Sequence, residues 1–533
     1  MVLIGATAIA AIIVGALAGT LSSRERSSSP RDSKPSLGDG SPSQDEFISQ
    51  IDKQYETSVA GVLNNMGPSG SKAPGVPAGV MIASPSTQDP EYFYTWTRDS
   101  GLTMKMVVDE FLHGKTASRQ LIKDFSNSQA ILQNVTNLSG DLSSGKGLGE
   151  PKYFVNLTRW DGVWGRPQRD GPALRATALL TYVRWLLDTG KAEDASEAKD
   201  KIWPVIRNDL NYVAQYWNET GFDLWEETLG SSFFTTAAQH RALVEGAILG
   251  KRMNQQVSAY ESQAPNILCF LQSFWNGRHI VANTNTDPGF KKNGIDANSV
   301  LASVISFDPV AQCDDSTFQP CSPRALANLK VYIDSFRDLY PINNGIAANA
   351  AVATGRYIED VYFGGHPWYL TTLAVAEQLY NAVQQWNKIS KVTVTELDLA
   401  FWKDVYSDAK VGSYKKDNEE FKKLVDGVLN FADGFVKIAL KYTPSSGAMS
   451  EQFSRQNGSQ ISARDLTWSY AAFITARAAR LAAISDRPQV PSWGGDKANS
   501  LPPVCKRDSV LGIYEPAPVT QASRFRLRGI AWN

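Results

Sequence analysis

Four apolar stripes at helical spacing, separated by long connections, are the strongest constraint in this 533-residue chain. Trp203, Ile206, Leu210, Val213 and Trp217 recur at alternating three- and four-residue steps, the period that places side chains on one helix face. Leu179, Leu180, Val183, Leu186 and Leu187 form a second stripe, closed by Gly190. Leu373, Ala376, Leu379, Tyr380 and Val383 form a third, and Tyr470, Phe473, Ile474, Ala478 and Leu481 a fourth. Strand-like alternation is short and scattered, and no linker interrupts residues 44–486. The chain therefore reads as mostly α.

The connections carry the chemistry. Trp, Arg and carboxylates cluster just before a predicted helix in five places. Tyr92 to Asp99 precede a helix through Met106, and Trp164 to Pro172 precede the Leu179 stripe. Asp223 to Glu227 precede a helix through His240. Arg356 to Asp360 and His366 to Trp368 precede the third stripe, and Ser450 to Gln452 with Arg464 and Asp465 the fourth. Any one cluster is explained by capping or by the helix dipole. Their recurrence argues for more. If alternate helices run the same way, as in a ring of helical hairpins, the five loops meet in one pocket.

Charge narrows the function. Lys and Arg number 53 against 54 Asp and Glu, without the basic excess of a nucleic-acid binder. No HExxH or paired CxxC is present, so a zinc or haem enzyme stays open without a motif behind it, and no metal or cofactor is assigned. The 14 Trp, 19 Tyr and 22 Phe suit a core and also stacking on sugar rings.

Long motifs add a resemblance. SPSTQDPEYFYTWTRDSGL (84–102), WGRPQRDGPALRATALL (164–180), FDLWEETLGSSFFT (222–235), CDDSTFQPCSPRALAN (313–328), GRYIEDVYFGGHPWYL (355–370), AMSEQFSR and SARDLTWSYAA (448–472) resemble the fungal glucoamylases of glycoside hydrolase family 15, over roughly residues 45–510. The resemblance implies an (α/α)6 barrel that releases β-D-glucose from non-reducing ends of α-1,4-glucans such as starch, with inversion and slower α-1,6 cleavage. By motif, Glu226 matches the general acid and Glu451 the general base. Arg98, Asp99 and Arg356 match residues gripping the terminal glucose. Trp164 matches a pocket-lining tryptophan, Tyr92 and Trp96 match aromatics beside the base and first sugar, and Glu227 and Asp360 match substrate contacts. Gly364-Gly365-His366 stands where the family often has Asn-Gly-Asn, and a close cysteine pair common in the family is missing near Tyr260.

Residue types fit this chemistry. Inverting cleavage of an acetal needs one carboxyl to protonate the departing oxygen and another to activate water, about 6.5–9.5 Å apart. Apolar Trp225 and acidic Glu227 are expected to keep Glu226 protonated. Arginine and aspartate supply fixed donors and a charged acceptor for sugar hydroxyls. Other readings are a glucodextranase-like or trehalase-like enzyme, or a carbohydrate-binding protein without turnover; intact Glu226 and Glu451 motifs argue against the last. A terpene cyclase would need DDxxD-type clusters, which do not precede these helices.

The expected organisation is a signal peptide or membrane anchor over 1–21, a Ser-rich disordered segment over 22–43, a catalytic domain over 44–510 and a tail over 511–533. The uncharged run Val2–Leu21 suits export, giving a secreted protein or one anchored through residues 2–21. A monomer is expected. Four cysteines in an exported chain suggest two disulfides. Cys313–Cys321 with Cys269–Cys505 is one of three pairings, favoured by the short polar loop between Cys313 and Cys321; four buried thiols are the alternative. Glycosylation sequons stand at Asn134, Asn137, Asn156, Asn218 and Asn457. The stretch after Asp486 is shorter than the about 100 residues of a β-sandwich, so weak adsorption to granular starch is expected.

Overall fold

The computed structural model describes residues 43–114, 119–287, 292–485 and 490–520. The leader or anchor, nearly all of the Ser-rich segment, and residues 521–533 of the tail lie outside these. Everything below belongs to the unit spanning residues 45–533.

Twelve long helices organise that unit: α1 (Gln44–Asn64), α2 (Thr97–Leu112), α3 (Arg119–Gln133), α4 (Asp170–Asp188), α5 (Trp203–Tyr216), α6 (Phe233–Arg252), α7 (Ser258–Gln272), α8 (Ala297–Ile305), α9 (Pro323–Ser335), α10 (Tyr369–Ile389), α11 (Glu419–Lys441) and α12 (Thr467–Ile484). The even-numbered helices touch in a closed ring, α2 to α4, α6, α8, α10, α12 and back to α2. Each odd-numbered helix from α3 to α11 packs outside a neighbour in that ring. Helix α1 covers α2 and α12: Tyr55 donates to Glu110, and Arg477 lies over the Tyr55 ring and pairs with Asp52. This is an (α/α)6 barrel.

Inner and outer helices differ in sequence because they differ in burial. The outer α11 hides one face, through Phe421, Leu424, Val428, Phe431 and Phe435, and exposes the other. The inner α4 is buried at every position from Asp170 to Val183, so its polar residues need internal partners. Arg175 supplies one such set. It donates to both oxygens of Asp209 on α5, at 2.8 and 2.6 Å, and to Gln129 on α3 at 3.1 Å. Arg480 on α12 grips Asp433 on α11 in the same way, at 2.7 and 3.0 Å.

All six inner helices begin at the same end of the ring, and the connections into them gather there. Three of the four small antiparallel sheets brace these loops; one pairs Tyr94–Trp96 with Lys152–Phe154, and the fourth, Lys391–Val394 with Gly412–Lys415, lies in the connection out of α10. The expected convergence of the five clusters is what the barrel produces. Arg98 and Asp99 lie inside the first turn of α2 rather than before it.

Both disulfides take the favoured pairing, Cys269–Cys505 and Cys313–Cys321. Beyond α12 the chain first crosses the end of the barrel where α8 finishes, with Val490 beside Arg241 and Glu377 and Trp493 buried, and then runs along the outside of α5. Ser492, Trp493, Gly494 and Gly495 all donate to Asp308 Oδ2, at 2.8–3.2 Å. Further on, Asn208 binds the Glu515 carbonyl at 2.9 Å, Tyr514 donates to Gln215 at 2.8 Å, and Thr520 N donates to Asn127 at 2.8 Å. The strap passes residue 510 without a break in these contacts. Among the described residues no helix is long and apolar enough to cross a membrane.

Candidate active site

A cavity of about 530 Å³ opens at the convergent loop end. Tyr92, Trp96, Arg98, Asp99, Trp164, Glu226, Glu227, Arg356 and Glu451 all line it, with Lys152, Trp225, Trp368 and Trp468. Asp360 is the exception among the expected contacts. Its carboxylate is used up by Arg356, at 2.8 and 2.6 Å, and by the Tyr362 N–H at 2.9 Å. It holds Arg356 in place from behind.

Glu226 sits in a tight turn with φ +67°, a conformation uncommon outside glycine. Asp223 imposes the turn. Its carbonyl accepts Glu226 N at 2.9 Å, and its buried carboxylate accepts Glu227 N at 3.1 Å and Thr228 N at 3.2 Å. Four donors meet on the Glu226 carboxyl. Trp96 Nε1 (2.8 Å), Arg98 Nη2 (3.1 Å) and Gln168 Nε2 (3.1 Å) reach Oε1, and Trp164 Nε1 (2.7 Å) reaches Oε2. Trp96 and Trp164 are thus partners of this carboxyl as well as pocket walls.

Arg98 is held by Gln168 at 2.8 Å and Asp170 at 3.2 Å. Burial pushes Asp99 up to about 6 despite the neighbouring Arg98. Arg356 Nη2 also pairs with Glu227 at 2.9 Å. Burial raises the Glu227 carboxyl less than Arg356, Tyr357 and Lys292 lower it, so it ends below the usual range.

Glu451 is 2 % exposed. Ser462 donates to it, and burial pushes it up to about 7.

Sequence reasoning missed several supporting groups. Lys152 Nζ lies 3.5 Å from the Trp164 ring centre and 3.9 Å from that of Trp160, and burial lowers it to about 8. Asp296, the cap of α8, accepts Trp225 Nε1 at 2.8 Å, and burial pushes it up to about 7. It marks the sixth loop, where five were expected; the Asp-Ala-Asn capping pattern was the available signal. Of the sequons, Asn134, Asn156 and Asn457 are exposed. Asn137 is corrected: it is buried, and its amide donates to the Val135 and Gly147 carbonyls. The Asn218 amide is likewise engaged, by the Arg507 carbonyl.

A helical-hairpin barrel with two carboxyls and two anchored arginines around one sugar-sized, aromatic-walled pocket defines a glycoside hydrolase. The pattern of Glycosyl hydrolases family 15 matches residues 56–478. Glucoamylase P of Amorphotheca resinae is 52% identical over 90% of this chain and 76% of its own, and Glucoamylase-1 of Arthroderma benhamiae 48% identical over the same shares. The solved family 15 glucoamylase of Hypocrea jecorina superposes with a TM-score of 0.85 at 48% identity, covering 89% of this chain and 78% of that one. The chain belongs to glycosyl hydrolase family 15.

Proposed function

We propose that the chain is an exo-acting, inverting glucan 1,4-α-glucosidase. It releases β-D-glucose from the non-reducing ends of starch and maltodextrins and cleaves α-1,6 bonds more slowly. The observation that carries this reading is the placement of Glu226, Glu451, Arg98 and Arg356 around a single cavity. The arginines and Asp99 bind the hydroxyls of the terminal sugar. The aromatic walls take its C–H faces.

Glu226 protonates the glycosidic oxygen. Trp164 donates to Oε2 and takes one of that oxygen's lone-pair positions, so the other can carry the proton. Glu451, steadied by Ser462, takes a proton from water as that water attacks the opposite face. Arg98, Gln168 and Trp96 stabilise the carboxylate left after proton transfer.

The enzyme acts as a monomer outside the cell, without a cofactor. Its apolar leader, two disulfides and exposed sequons support that setting. Product analysis on maltotriose tests the function: NMR should find β-glucose first. Initial α-glucose excludes the single displacement, and an internal cut excludes exo action.

A further inference from the structure

We propose that His366 is a positioning residue that makes the pocket's geometry depend on proton concentration. As a neutral ring it clamps the segment after Glu451 to the loop carrying Tyr362; once protonated, it lets go. The proposal deepens the hydrolase reading, since it rests on Glu451 belonging to the reacting pair.

The clamp joins two strands of chain. His366 Nδ1 accepts the backbone N–H of Arg455 at 3.1 Å. One residue along, Phe453 N donates to the Pro367 carbonyl at 3.0 Å, and Trp368 bridges to Gln452, the neighbour of Glu451. The Arg455 guanidinium donates to the Gly365 carbonyl at 3.2 Å and the Leu339 carbonyl at 2.5 Å. The loop itself has little freedom. Gly365 has φ +65°, and a Cβ there would lie 2.0 Å from the Asp360 carbonyl oxygen. A Cβ on Gly364 would sit 3.2 Å from His366 Nε2, so the ring depends on glycine beside it. At the other end of this loop, the Tyr362 and Tyr92 hydroxyls meet at 2.7 Å inside the pocket.

Only a neutral imidazole can accept at Nδ1. Protonation turns that nitrogen into a donor facing another donor, the Arg455 N–H. It also adds a positive charge near the Arg455 guanidinium. Burial and Arg455 lower the proton affinity of the ring; the Phe363 carbonyl and the Asp360 carboxylate act the other way, and the net shift is downward. The change therefore falls below the ordinary imidazole range, among the acidic conditions where paired carboxyls work.

The test compares kcat/KM on maltotriose from about pH 3 to 7 for the full chain, His366→Asn and His366→Leu, with histidine 13Cε1 NMR titrations. An Asn oxygen can take the Nδ1 acceptor position but does not titrate. The wild type should lose about 2–10-fold relative to His366→Asn as pH falls, the factor of one net hydrogen bond, with the midpoint of the His366 resonance. His366→Leu should be reduced by that factor at every pH. Superimposable wild-type and His366→Asn profiles, or a midpoint that does not match the resonance, overturn the proposal. The resonance does not depend on turnover, so a failed clamp is distinguishable from a failed hydrolase reading, which would show as no glucose from any variant.

Discussion

Glu226 and Glu451 divide one job, and their removal should show it. Glu226→Gln and Glu451→Gln each keep size and neutral hydrogen bonding but cannot exchange a proton. Each should lower kcat on maltose at least about 100-fold, the lower range for general acid–base catalysis; near-normal turnover in a folded variant would remove that residue from its role. The motifs made both glutamates legible from sequence. They could not show that Asp360 is spent on Arg356, or that Lys152 and Asp296 serve the pocket, because those roles follow from burial and from which side chains the fold turns toward one another.

Inner helices were legible as well as outer ones: α4, α10 and α12, of 19, 21 and 18 residues, carry three of the four stripes. Outer helix α5 shows a clear stripe, and Trp203, Ile206, Leu210 and Val213 are all buried. Inner helix α8 has only nine residues, seven of them buried from Ala297 to Ser303, which is shorter than the window of about 11–18 residues over which a helical period declares itself. Burial on all sides explains why the inner ring leans on internal ion pairs. Asp209→Ala would leave Arg175, 2% exposed, uncompensated between three helices. Loss of one partner of such a pair costs about 3–5 kcal/mol. Urea unfolding should show that loss, and a change below about 1 kcal/mol would mean water replaces the carboxylate.

For the whole molecule, buried carboxyls outside the reacting pair tie stability to acidity. Burial pushes Glu377, on the barrel axis, up to about 7, and Asp296 to about 7. Each binds a proton in the fold that it would release unfolded above about pH 4, so its contribution is complete at acidic pH and lost as pH rises through about 7. Tm should therefore fall between about pH 4 and 7 and level off above that. Glu377→Gln should flatten that decline in differential scanning fluorimetry; an unchanged slope would assign it to other groups.

The closed ring has a consequence in time. Its seam lies between α2 and α12, where Thr467 N reaches the Ala83 carbonyl at 2.9 Å and Asn65 donates to Thr467 at 2.8 Å. These partners are separated by close to four hundred residues, and Glu451 arrives with the last hairpin. A ribosome must make most of the chain before the two glutamates can meet. Helices can form early and locally, but the nascent enzyme stays silent until its final hairpin docks. Recovery of activity on refolding should accordingly lag behind recovery of helical circular dichroism.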